Sequence, residues 1–249
     1  MRQFISQTTA AEELSPILPG IQWALMTGID GALSQYDPAT GHNAWVLGSL
    51  AYNQIFDRFD RVFSTGRYLI PSGATDDVPR ADVLEGLPES AANLMPTIPP
   101  GDVQREYINQ VPGFRFGPYS LLTQSSGSHS LDDFVWSSLR KKTKHEIACL
   151  SYCDSKEESG QLSLELGEDS LPSSSFVIVC YRVSTSGYTA GYGLPRDNSH
   201  GGSPWHWFTE LPPLESKAKS ISLDQPERIS PRINKNVSLK RQQYGVQQG

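Results

Sequence analysis

The residue types best suited to chemistry are concentrated in one segment, 186–206, which is rich in glycine and aromatic residues. The segment contains Arg196, Asp197, His200 and His206. Imidazole and carboxylate groups can exchange protons with a substrate, and a guanidinium can hold an anion. Because long loops in compact domains are often functional, these four residues are candidate catalytic residues of a hydrolase or transferase. The alternative is a Gly-rich connection whose His and Asp side chains make only local hydrogen bonds.

Linear motifs of known catalytic classes give this segment little support. Thr189 occupies the position that serine has in an esterase nucleophile elbow. Asp197, His200 and His206 offer donors that suit zinc, but their spacing fits no zinc signature, so we predict neither a metal nor a cofactor. The chain also lacks a Walker A loop, a dinucleotide-binding glycine fingerprint, His-Glu-x-x-His and Cys-x-x-Cys. Nucleotide-dependent enzymes and small zinc modules are therefore disfavoured.

The three cysteines, Cys149, Cys153 and Cys180, do not indicate a disulfide scaffold. On a strand, Cys149 and Cys153 would lie about 13 Å apart, too far to share a metal ion. Cys180 lies in an apolar run, which indicates a core position. A Cys-His nucleophile pair would require the fold to bring a histidine beside one of these thiols. The low, odd cysteine number, with no signal-peptide or membrane-span pattern, favours the cytoplasm, with the nucleus as the alternative.

Charge is distributed unevenly along the chain. Residues 216–249 carry seven Lys or Arg and two acidic residues, a net charge of +5. Because the whole chain has a net charge of −6, residues 1–215 have a net charge of −11. Such an asymmetry often marks an interaction tail. We expect its basic residues to contact a protein partner or a second copy, with nucleic acid as the alternative and no membrane involved. These residues are Lys217, Lys219, Arg228, Arg232, Lys235, Lys240 and Arg241.

The positioning elements are predicted from hydrophobic periodicity. Apolar residues at three- and four-residue spacing predict a helix over 43–64. A second helix is predicted from Ser130 to about Thr143, with its basic residues near the C-terminal end. Predicted strands are 21–27, 115–123, 147–152, 162–166, 176–181 and 205–211, with a glycine turn at 28–31. Seven prolines make residues 71–113 an irregular excursion with short helical pieces at 81–87 and 102–110.

These elements predict an α+β fold, with an antiparallel sheet mainly over 115–211, two or three amphipathic helices and an extended C-terminal tail. We expect a body at 1–215, with 71–113 as a candidate internal link, and a basic extended or disordered tail at 216–249. The favoured function is that of a non-catalytic interaction or structural protein, an assembly subunit that docks through its basic arm. An enzyme with its active site in 186–206 is the alternative.

Overall fold

The structure is a computed structural model that describes residues 2–70, 81–139, 142–150, 152–153 and 174–212. The basic tail predicted at 216–249 and the strand predicted at 162–166 lie outside the described residues. The fold of the described part is α+β, which confirms the predicted class.

Helices dominate the N-terminal part of the chain. The α-helices of the described residues are α1 (Gln7–Leu14), α2 (Leu18–Gln35), α3 (Ala44–Val62), α4 (Ala81–Leu84), α5 (Glu89–Asn93) and α6 (Lys142–Ala148). Short 3₁₀ helices occur at Pro38–Thr40, Gly66–Tyr68 and Trp136–Ser138. Helix α3 confirms the prediction over 43–64. It begins at Asn43, whose side chain accepts hydrogen bonds from two backbone amides of the first turn.

Strands form a six-stranded sheet and a small separate pair within the described ranges. They are β1 (Arg2–Gln3), β2 (Val103–Ile108), β3 (Val111–Phe116), β4 (Tyr119–Ser125), β5 (Tyr152–Cys153), β6 (Ser175–Ser184), β7 (Gly187–Pro195) and β8 (Trp205–Glu210). The large sheet has the order β2-β3-β4-β6-β7-β8, and β1 pairs with β5.

The large sheet consists of two antiparallel meanders that meet at one parallel pair. Strands β2, β3 and β4 form the first meander, and β6, β7 and β8 form the second. Strand β4 pairs with β6 in parallel, with Leu121 opposite Val177. The expectation of antiparallel pairing is therefore wrong at this pair. A parallel pair needs a long crossover, and the chain between Ser125 and Ser175 provides it.

Strand β6 is buried on both faces, as predicted for the continuous apolar run at 176–181. Its residues alternate between two hydrophobic clusters because successive side chains of a strand point to opposite faces. Val177, Val179 and Tyr181 belong to the cluster that includes α2 and α3. The alternate residues, among them Cys180, belong to a second cluster that includes Trp136.

The predicted strand at 21–27 and glycine turn at 28–31 are wrong, because helix α2 runs through both. Gly28 lies where α2 crosses α3, and a Cβ atom there would come within 2.8 Å of the Ile55 backbone. This glycine therefore permits a close approach of two helices rather than a turn. Pro19 is tolerated because it lies in the first turn, where a backbone N–H has no helical partner.

Two further predicted elements have a different structure. Residues predicted as helical at 102–110 form β2, which turns into β3 through Asn109 and Gln110, both at positive φ. This part of the candidate link 71–113 thus belongs to the large sheet, whereas 71–80 lies outside the described residues. Of the helix predicted from Ser130 to Thr143, the described residues before 140 form only a 3₁₀ turn, and α6 covers the first two residues of the strand predicted at 147–152.

Candidate functional site

The segment 186–206 is not one long loop. Residues 187–195 form β7, and Gly191 and Gly193 are required there because Cβ atoms would collide with the β8 backbone and with aromatic side chains such as Phe208. Only residues 196–204 connect β7 to β8. Two of the five glycines of this segment therefore serve packing between neighbouring strands, whereas Gly187, Gly201 and Gly202 are at positive φ with no atom close to them.

The four candidate catalytic residues lie on β8 and on the connection that precedes it. Arg196, Asp197, His200 and His206 are all exposed. The ring of His206, on β8, makes an edge-to-face contact with Phe4 at 5.8 Å between ring centres. Burial and the nearby charge of Arg196 lower the pKa of His206, so it is neutral at pH 7.

Asp197 faces a different set of residues from those predicted. It accepts hydrogen bonds from the side chain and backbone of Ser199, and these lower its pKa, with smaller contributions from His145 and His200. The Oδ1 atom of Asp197 lies 3.6 Å from Nε2 of His145. The same nitrogen lies 3.1 Å from Oγ of Ser199, so the serine hydroxyl bridges the histidine and the carboxylate.

Cys149 completes this cluster. The ligand atoms of His145, Cys149 and Asp197 all lie within 4.8 Å of one another. The fold thus brings to Cys149 the histidine that the sequence alone did not locate. Burial and the carboxylate of Asp197 raise the pKa of the Cys149 thiol, however, so this thiol is protonated at neutral pH. A raised pKa disfavours the thiolate that a nucleophilic cysteine requires.

Sequence reasoning missed this cluster because it assigned 147–152 to a strand. His145 and Cys149 are four residues apart, and the backbone N–H of Cys149 donates to the carbonyl of His145, which continues the pattern of α6. Residues at this spacing share one face of a helix. The histidine-to-cysteine spacing was therefore the available signal, whereas the contact with Asp197 is tertiary.

A second candidate site is built on α3. Asp57 is the shared acceptor of three arginines: Arg58 donates to Oδ2, Arg61 donates to Oδ2 at 2.8 Å, and Arg67 donates to Oδ1 at 2.5 Å. Asp57 and Arg61 meet because they are four residues apart on α3. Tyr68 also donates to Oδ1, at 3.1 Å.

The three guanidiniums differ in exposure. The Arg58 and Arg61 side chains are each 7% exposed, whereas Arg67 is 69% exposed. Arg61 also donates to the backbone carbonyls of Val83 and Glu85, so it ties α3 to the chain around α4. The Nε atom of Arg58 is buried without a hydrogen-bond partner. Arg61 thus has a structural role, while Arg58 and Arg67 retain unused donor capacity.

The electrostatics of this cluster favour bound negative charge. Burial alone would raise the pKa of Asp57, but the hydrogen bond and charge of Arg61, with the charge of Arg58, outweigh it and lower the pKa. Burial lowers the pKa of Arg58, and the carboxylate of Asp57 opposes that effect. Arginine remains charged at neutral pH. The three guanidiniums and the carboxylate of Asp57 together carry a net charge of +2, although the carboxylates of Asp82 and Glu85 share an adjoining cavity with Arg61 and Arg67.

These side chains line a concave surface, which we name the arginine cleft. Its volume is about 400 Å³. Its side-chain lining includes Ser34, Gln35, Asn53, Gln54, Asp57, Arg58, Arg61 and Arg67. The acidic residues Asp82 and Glu85 line an adjoining cavity, of about 380 Å³, with Arg61 and Arg67. The cleft thus combines cationic groups with neutral hydrogen-bonding groups, as small-molecule sites do.

The chain matches no protein-family model, no curated protein and no solved structure. In the part that the structure describes, no helix has both the length and the apolar character needed to cross a bilayer. The predicted partner-binding residues from Lys217 to Arg241 lie outside the described residues.

Proposed function

We propose that the chain is a non-catalytic binding protein that holds a small anionic ligand, with a phosphate or carboxylate group, in its arginine cleft. The observation that carries the proposal is the convergence of three arginines on the single carboxylate of Asp57. The uncompensated charge has a cost because two of the guanidiniums are largely removed from water. A ligand anion that bridges Arg58 and Arg67 offsets this cost and forms charge-assisted hydrogen bonds.

The dimensions and lining of the cleft support a small ligand rather than a macromolecule. Its volume of about 400 Å³ lies at the lower end of the range of roughly 300–1,000 Å³ that holds drug-sized molecules. The side chains of Gln35, Asn53 and Gln54 supply donors and acceptors for the uncharged part of such a ligand. The described residues that line the cleft include no histidine and no cysteine, and its one carboxylate, Asp57, already accepts hydrogen bonds from three arginines and Tyr68, which supports binding rather than catalysis.

The test compares anion-induced stabilisation of the full chain and of two variants. Inorganic phosphate and citrate serve as the phosphate and carboxylate probes, and the melting temperature is measured as each is titrated at constant ionic strength. We expect at least one probe to stabilise the wild type, and Arg67→Gln to weaken that binding by about tenfold or more, the effect of losing one charged hydrogen bond. Arg67 is exposed, so its loss leaves the core intact.

Arg115→Gln is the matched control. Arg115 is also partly exposed and paired with one carboxylate, that of Glu106 at 3.2 Å, but it lies on β3 outside the cleft. The control should respond to the probes as the wild type does. Equal stabilisation of wild type and Arg67→Gln, or no stabilisation of the wild type by either probe, would contradict the proposal. The relative response to phosphate and citrate distinguishes the two kinds of anion.

We also propose that residues 216–249 dock the chain on a protein partner or on a second copy in the cytoplasm. The support is the charge of +5 in this segment against −11 in residues 1–215. Light scattering at low and moderate salt, on the full chain and on a 1–215 truncation, tests self-association. An oligomer that becomes monomeric on truncation or with rising salt supports docking on a second copy. A full-length monomer in every condition contradicts it.

A further inference from the structure

His145, Cys149 and Asp197 form a cluster that the anion-binding proposal does not use. Their ligand atoms lie within 4.8 Å of one another, and Nε2 of His145 is 3.6 Å from Oδ1 of Asp197. In a tetrahedral zinc site with bonds of about 2.0–2.3 Å, two ligand atoms lie roughly 3.4–3.7 Å apart. The histidine and carboxylate already have this separation, and the thiol sulfur of Cys149 lies within 4.8 Å of both.

The donor set points to a particular class of ion. Magnesium and calcium prefer oxygen ligands alone. An imidazole nitrogen, a cysteine sulfur and a carboxylate oxygen together suit zinc and its borderline-soft neighbours in the first transition series. The cluster is therefore selective by chemistry against the abundant hard cations.

The two segments that carry the cluster, the end of α6 and the connection between β7 and β8, are anchored in the same hydrophobic core. His145 and Cys149 flank Ile147 and Ala148, which are buried in the second hydrophobic cluster. On the other side, Asn198 is buried beside Asp197, and its side chain accepts from the backbone N–H of Trp136 at 3.2 Å and donates to the carbonyl of Phe134 at 2.7 Å. Trp136 belongs to that hydrophobic cluster too, so the two segments share one rigid support.

The carboxylate of Asp197 also accepts hydrogen bonds from a residue outside the proposed set of ligands. Ser199 donates to Asp197 through its backbone N–H at 3.0 Å and through its hydroxyl at 2.7 Å. Such hydrogen bonds orient a ligating carboxylate and are typical of metal sites. The side chains of His145 and Asp197 are 31% and 38% exposed, so an ion can reach them from solvent.

We propose that His145, Cys149 and Asp197 bind one divalent ion of the zinc class, with these three protein ligands and an open fourth position for water or an external ligand. On binding, the ion replaces the thiol proton of Cys149, which is released to solvent, and it replaces the hydrogen bond between Nε2 of His145 and Oγ of Ser199. No electron is transferred. Three protein ligands with an open position form the arrangement of zinc sites that take part in chemistry rather than in purely structural support.

The test uses the full chain without a histidine tag, stripped with a chelator and titrated with Co²⁺ and then Zn²⁺. Co²⁺ bound by thiolate gives a ligand-to-metal charge-transfer band in the near ultraviolet, which reports on cysteine ligation directly. We expect one Co²⁺ per chain with this band, displacement by Zn²⁺, and no displacement by excess Mg²⁺. Zn²⁺ should also slow alkylation of Cys149 by iodoacetamide.

Variants locate the ion. Cys149→Ser should abolish the charge-transfer band, and His145→Ala and Asp197→Asn should each weaken Zn²⁺ binding by about tenfold or more, at least the loss seen when an outer partner is removed. His206→Ala and Cys153→Ser are the matched controls and should bind as the wild type does. All of the ligand substitutions lie at the surface, and circular dichroism verifies that each variant is folded.

Three results would overturn the proposal. Absence of a charge-transfer band in the wild type would leave the cluster as a set of surface hydrogen bonds. Retention of the band in Cys149→Ser, or its loss in Cys153→Ser, would place the ion elsewhere. None of these results bears on anion binding in the arginine cleft, so the two proposals fail independently.

Discussion

The crossing of α2 and α3 depends on the absence of a side chain at Gly28, and Gly28→Ala should therefore destabilise the fold. A Cβ atom there would lie 2.8 Å from both N and Cα of Ile55 and 3.0 Å from its Cγ1. Ordinary contacts to carbon are about 3.5–4.0 Å. Because backbone atoms cannot rotate away as a flexible side chain can, the two helices must separate.

The size of the effect follows from two opposing contributions. Overpacking a well-packed core costs about 1–3 kcal/mol, and the collision with backbone places this case at the upper end. Replacing glycine by alanine inside a helix stabilises the helix by about 1 kcal/mol. The expected net loss is therefore about 1–2 kcal/mol in the free energy of unfolding.

Gly48→Ala on α3 is the matched control. A Cβ atom at Gly48 meets no atom within 4 Å, so only the helix-propensity gain applies and stability should rise by up to about 1 kcal/mol. Urea unfolding followed by circular dichroism measures both changes. The urea midpoint should fall for Gly28→Ala and rise for Gly48→Ala, with the dependence of the unfolding free energy on urea unchanged. If Gly28→Ala is as stable as the wild type, the close approach of α2 and α3 described above is wrong.

Four other substitutions probe three separate features. Asp57→Asn should make the melting temperature less sensitive to pH in acid. The lowered pKa of Asp57 stabilises the folded wild type fully above about pH 4, and this stabilisation decreases as the pH falls towards that pKa. Thermal melts of both proteins from pH 3 to 7 measure the difference. Asn198→Ala leaves two buried backbone groups unpaired and should cost about 2–4 kcal/mol in urea unfolding, and a loss below about 0.5 kcal/mol would contradict the anchoring role. Gln110→Gly should stabilise by about 0.5–1 kcal/mol, because Gln110 has φ of +64° in the β2–β3 turn, whereas Asn109→Gly should gain less because asparagine tolerates this conformation.

The elements that sequence patterns predicted correctly are those whose cause is local. Apolar spacing revealed α3, the continuous run at 176–181 revealed the central strand β6, and alternation at 205–211 revealed β8. Each pattern records which face of a single element is buried.

The elements that were missed depend on contacts between distant parts of the chain. Gly28 resembles a turn residue in the sequence, yet its role is set by Ile55 on the next helix. Gly191 and Gly193 resemble a flexible loop, yet their role is set by side chains and backbone of β8. A glycine that admits a neighbour and a glycine that adopts positive φ cannot be distinguished without knowing the neighbour.

The candidate sites also combine local patterns, which the sequence reveals, with contacts between distant residues, which it does not. The four-residue spacing of Asp57 and Arg61 is visible in the sequence, but the burial of Arg58 and Arg61 comes from the packing around α3 and α4. In the other cluster, the sequence grouped Asp197 with Arg196, His200 and His206, whereas the structure also brings His145 and Cys149 to it. These last two residues lie some fifty residues earlier in the chain.

The junction of the two meanders also has consequences for how the chain folds. Each three-stranded meander is built from neighbouring strands and can form by local pairing. The parallel pair β4–β6 requires closure of the roughly fifty residues between Ser125 and Ser175, so this junction should be the slow step. Until it closes, β6 is an unpaired edge carrying the most apolar run of the sheet, and such an edge recruits other chains. A refolding yield that falls steeply with protein concentration is the expected signature of that exposed edge.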